Sequence, residues 1–92
     1  DVIATVAEKC GVTSEAMKGR NRAQEIVMTR QIAMYLMREE TGASLAEIGR
    51  ALGGRDHTTV IHGIEKIEAR LQEDSALRTR VIAIREALLT VP

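Results

Sequence analysis

Phenylalanine and tryptophan are missing from this chain, and tyrosine occurs once, at Tyr35. The apolar 45% of its 92 residues is therefore almost wholly aliphatic, which suits packed helices better than sheets, where aromatic and β-branched residues are favoured. Cysteine occurs only at Cys10. That excludes an internal disulfide and a thiolate metal cluster, and it fits a reducing cytosol. No apolar run approaches the length that crosses a bilayer, and no charged-then-apolar signal segment opens the sequence. A cytoplasmic protein is expected. At this length a single domain over residues 1–92 is expected too, small enough that every apolar face must be used.

Net charge is also absent, which at first argues against a nucleic-acid partner. The zero conceals an uneven distribution. Between Lys18 and Arg38 the basic residues Lys18, Arg20, Arg22, Arg30 and Arg38 meet only Glu25, a local excess of +4, while each flank carries −2. A polyanion responds to the face it meets rather than to the sum. A solvated basic surface without a partner fits the same count, so charge alone does not decide.

What is present is helical periodicity. Ile3, Val6, Ala7 and Cys10 form one stripe of a first helix that Gly11 stops. Thr13 then caps a short turn running through Met17, with Gly19 ending it. The basic loop "KGRNR" follows. The longest helix is expected from Gln24 to Glu40, with Ile26, Val27, Ala33, Leu36 and Met37 in helical period and Gly42 closing it. "SLAE", Ser44 to Glu47, has the pattern of a capping box. A short helix starts there, lined inward by Leu45, Ile48 and Leu52, and breaks at Gly53 and Gly54. Asp56 suits the N-cap of the next helix, whose core stripe is Val60, Ile64, Ile67 and Leu71. Asp74 or Ser75 caps the last, with Leu77, Val81, Ile84 and Leu88 inward. The fold class is all-α, six helices in series.

Two helices joined by a short glycine-bearing turn make a helix-turn-helix candidate. Many helical bundles contain such a corner. The specific feature is that Asp56, His57, Thr58 and Thr59 occupy the first turn of the second helix, with apolar burial beginning only at Val60. That end should project, and a projecting helix N-terminus favours a phosphate. In a major groove, a carboxylate accepts from the cytosine amino group, threonine touches a thymine methyl, and histidine bonds or packs on a base edge. Arg55 stands ready for a phosphate. Asp56 serves equally as a plain cap, and its two oxygens make the roles compatible.

Other chemistries fit less well. His57 and His62 lie roughly 140° apart around a helix, so they do not jointly face a metal, and the spacing of a zinc-binding helix is absent. Adjacent Asp56 and His57 point apart, and there is no nucleophile elbow for a triad. "GGRDHTT" lacks the Gly-Lys-Ser/Thr ending of a phosphate-binding loop. No enzyme and no metal site are expected.

The segment "SLAEIGRALGGRDHTTVIHGIEKI", with "RQIAMYLMRE" upstream, resembles the C-terminal DNA-binding domain of the bacterial chromosomal replication initiator family DnaA. The likeness runs from "VIATVAEKCGV" into the last helix, and "GGRDHTTV" is its specific core. The resemblance implies a helix-turn-helix domain that binds double-stranded DNA at short asymmetric sites, the DnaA boxes, of replication origins. It implies Asp56, His57 and Thr58 as major-groove base readers and Arg22 as an arginine in the adjacent minor groove, a position that reads A·T-rich shape. It implies phosphate contacts from Arg20, Arg30, Gln31, Arg38, Thr41, Arg55, Thr59 and His62. No cofactor is expected in this chain; ATP belongs to an ATPase domain that the family carries upstream. A monomeric, nucleoid-associated domain follows.

Several positions depart from the family pattern. Ala46 and Thr29 stand where proline is common, Leu52 where phenylalanine is frequent, and Gly63 where alanine is usual. Asn21 and Gln24 replace residues that are often basic, so weaker non-specific binding follows. Two other readings stay open: a domain of this type on another DNA-handling protein such as a transposase relative, and a helical module that binds a protein.

Overall fold

Helices start where a side chain can accept one of the free amides of the first turn, and this chain supplies such a residue almost every time. The structure, a computed structural model, describes residues 1–90. They form α1 (Val2–Cys10), α2 (Ser14–Lys18), α3 (Gln24–Thr41), α4 (Leu45–Ala51), α5 (His57–Glu73) and α6 (Ser75–Leu89), with no strand among the described residues. Asp1, Thr13, Ser44, Asp56 and Asp74 each accept from a backbone amide of the helix they open. Asp74, not Ser75, caps α6. The expected box at Ser44 is formed in both directions: Glu47 N donates to Ser44 Oγ at 3.1 Å, and Ser44 N donates to Glu47 Oε1 at 2.8 Å.

The exception is α3, whose cap residue Ala23 has no acceptor. Asn21 compensates, its Oδ1 accepting from Ala23 N at 2.8 Å. This longest helix is the axle of the fold, packed against α1, α2, α4 and α5. The stripe expected for it was too narrow. Ile26, Val27 and Met37 are only partly buried, while Thr29, Arg30, Ile32 and Met34 join Ala33 and Leu36 inside. A helix covered on several sides has no single inward stripe. Side chains from all six helices share one core, so α4 and α5 are held on the same body that carries the loop between α2 and α3.

Candidate nucleic-acid interface

The corner between α4 and α5 is closed by backbone. Gly54 N and Arg55 N both donate to Gly49 O, at 2.9 and 3.0 Å. Gly49 admits this because a Cβ there would lie 2.1 Å from Arg55 O. Gly53 and Gly54 both turn at positive φ, 87° and 86°, a region that glycine enters without steric cost. The chain then extends through Asp56 into α5.

Asp56, His57, Thr58 and Thr59 are all exposed, and Val60 is the first buried residue of the helix. The expected projecting end is present. Thr59 N donates to Asp56 Oδ1 at 2.8 Å. The cap uses that oxygen. The Thr59 amide, first, and its hydroxyl hold the Asp56 carboxyl below the usual carboxylate range, so at neutral pH it is an acceptor only. His62 and Ile61 continue the exposed face one turn along.

Beside this helix start lies the basic loop. Arg20 and Arg22 are exposed and enter no ion pair among the described residues. Lys18, Arg20, Arg22, Arg30, Arg55 and Thr59 line an open cleft between loop and turn. No carboxylate lines it. Such a cleft favours an anion with nothing to displace.

Arg30 is placed differently from its neighbours. It lines the cleft yet is only 6% exposed, and its Nε and Nη2 bond inward. Its Nε donates to Met17 O at 2.8 Å, and its Nη2 faces Ala16 O at 3.2 Å, Asn21 O at 3.1 Å and Gly19 O at 3.4 Å. It lies in register with Ile26, Ala33 and Met37, a helical stripe visible in the sequence that the charge of Arg30 disguised. Arg55 approaches the same loop from the other element, donating through Nη2 to Gly19 O and through Nη1 to Leu52 O. Burial lowers the pKa of both guanidiniums, and the Arg55 charge adds to the effect on Arg30.

The remaining candidates divide. Gln31 is half-buried where α3 meets α5, close to Gly63. Arg38 and Thr41 sit at the far end of α3 and are not brought to the cleft. Arg38 Nη1 donates to Ala43 O at 2.9 Å, and Thr41 Oγ1 donates to Met37 O. Lys18, Asn21 and Ile61 belong to the surface around the site although the sequence reading assigned none of them a contact. For Ile61 the signal was an aliphatic residue off the core stripe.

No group of three or more His, Cys, Asp or Glu side chains among the described residues is arranged to hold a metal ion. No described helix is long and apolar enough to cross a membrane.

A short helix, a glycine turn and a second helix with an uncovered polar start define a helix-turn-helix protein. The chain matches the family described as bacterial dnaA protein helix-turn-helix over residues 1–67, and it belongs to that family. It is 51% identical over 87 residues to the chromosomal replication initiator protein DnaA of Chloroflexus aurantiacus, covering 95% of this chain and 18% of that protein. The like-named protein of Thermomicrobium roseum is 52% identical over 87 residues, covering 95% of this chain and 19% of that protein. For Lacticaseibacillus casei the identity is 47% over 87 residues, with the shares again 95% and 19%. The chain thus spans less than a fifth of the length of these relatives. The part it matches is the helix-turn-helix, and the ATPase part of such proteins is not in this chain.

Proposed function

We propose that this chain is a single domain that reads duplex DNA at DnaA boxes of a replication origin, as a monomer and as part of a larger initiator. The observation that carries this reading is the pairing of an uncovered polar helix start with a cationic, carboxylate-free cleft on one body. In this reading the first turn of α5 enters the major groove. Asp56 accepts from a cytosine amino group through Oδ2, His57 meets a base edge, and Thr58 meets a thymine methyl. Ile61, exposed on the same helix, adds an apolar surface of the kind that thymine methyls favour. Arg22 enters the neighbouring minor groove and favours A·T pairs there.

The phosphates follow the cleft. Arg20, Arg55, Thr59 and His62 contact them around the two readers, Gln31 lies close by, and Arg38 and Thr41 reach the backbone from a separate edge. Arg30 supports the loop from within. The relatives are named replication initiators, and similarity over 95% of this chain supports a part in the same task for this domain. A protein-binding module built on the same surface would show no salt-sensitive affinity for duplex.

Selection from a randomised duplex library tests the proposal. Enrichment of one asymmetric motif is expected, with affinity falling steeply as salt rises because phosphate contacts release counterions. Absence of any motif, or affinity indifferent to salt, overturns it.

A further inference from the structure

We infer that Arg30 and Arg55 form a clasp that fixes the spacing between the minor-groove loop and the major-groove helix; the inference rests on the two-groove reading above. The loop from Gly19 to Ala23 has no helix of its own. Its path is set by guanidinium groups. Arg30 gathers the carbonyls of Ala16 and Met17, from the end of α2, together with those of Gly19 and Asn21 in the loop. The last carbonyls of a helix have no partner within it, and a planar fork with five donors serves several of them together, as an ammonium on a flexible stem does not. Arg55 then ties the Gly19 carbonyl to the turn that precedes α5.

A third contact closes the clasp. A Cβ on Gly53 would lie 2.0 Å from Lys18 O, so the turn rests directly on the backbone at the root of the loop. Side chains reading two grooves of one duplex must hold a fixed separation, because each base pair advances the helix by about 3.4 Å. Slack in the loop therefore becomes tolerance of altered spacing in the DNA. Arg30 and Arg55 are in this sense positioning residues, acting through Arg22.

The test compares the selected motif with a derivative carrying one extra base pair between the A·T end and the segment read by α5. The wild-type domain is expected to bind the lengthened duplex about tenfold more weakly, equivalent to about 1.4 kcal/mol. Arg30→Lys and Arg55→Lys keep the charge and lose the fork, and each should bring that ratio close to unity. Partial unfolding or a lost phosphate contact weakens both duplexes alike and leaves the ratio where it was. A folded variant with the wild-type ratio overturns the clasp. Backbone relaxation of the DNA-free wild type gives a second decision that needs no variant to fold. Order parameters near about 0.85 for Gly19–Ala23, as in the helices, are expected, and values below about 0.6 overturn the inference. Failure of the wild type to select any motif would instead remove the DNA-reading proposal, and the relaxation result would still decide the clasp.

Discussion

A Cβ added to Gly63 would lie 2.5 Å from the Sδ of Met34. The pair marks a close approach of α5 to α3, and it accounts for glycine at a position where helix propensity favours alanine. Alanine would gain about 1 kcal/mol of propensity. Against this, Met34 is 1% exposed, and forcing a methyl into a packed core costs about 1–3 kcal/mol. Overpacking wins.

Gly63→Ala is therefore expected to destabilise the domain by up to about 2 kcal/mol in urea denaturation. Met34→Ala leaves a cavity that costs about 2–5 kcal/mol alone. The double variant should be more stable than the sum predicts by about 1 kcal/mol, since the new methyl enters the vacated space. A stabilising Gly63→Ala, or strict additivity, contradicts the contact.

Acid stability should follow the caps. Asp56 is held below the usual carboxylate range by the Thr59 amide and hydroxyl, Glu47 by the Ser44 amide and hydroxyl, and Asp74 by the Leu77 amide and then Arg70. In each case the folded pKa is the lower one. The stabilisation is then complete above the unfolded value, about pH 4, and is lost as the pH falls through the folded values, because the unfolded chain binds protons first. Melting temperature should decline on acidification through that window. Asp56→Asn, which keeps an acceptor for the cap but cannot ionise, should flatten part of the decline. An unchanged acid limb in that variant would exclude Asp56 as a contributor.

The same substitution isolates base reading. Asn in place of Asp56 retains a cap oxygen but presents an amide donor where Oδ2 accepted. Preference for the proposed cytosine should fall about tenfold while non-specific binding persists. His57→Ala should likewise relax the motif at one position. Motif selection with both variants measures this, and an Asn variant that selects the original motif at full affinity defeats the assignment of Asp56.

Most of this fold was legible because its signals are local. Thr13, Ser44 and Asp56 cap the helices they were expected to cap, and glycines close α1 and α3. The core stripe of α5 was legible for a related reason: that helix has one wet side and one dry side. In α3 the pattern blurred because neighbours cover it on several sides. Arg30 illustrates the limit. Its charge reads as surface, and its burial depends on carbonyls that only tertiary folding brings together. The joining of loop and turn at Gly19 is equally non-local, since Arg55 lies 36 residues further along the chain.

Arg22 and Arg20 give the sharpest test of two-groove reading, since both are exposed on one loop and enter no ion pair among the described residues. Charge cannot tell them apart. Groove chemistry can: in a minor groove the donor and acceptor pattern separates A·T from G·C but hardly A·T from T·A. Arg22→Ala should relax the A·T preference at one end of the motif and leave the order of bases under Asp56 and His57 intact. Arg20→Ala, as the loss of a phosphate contact, should weaken all sequences about equally and reduce the salt slope by about one. Motif selection and salt titration on the two variants separate these behaviours. If Arg22→Ala weakens every sequence uniformly, the loop is an electrostatic anchor, and sequence is read from α5 alone.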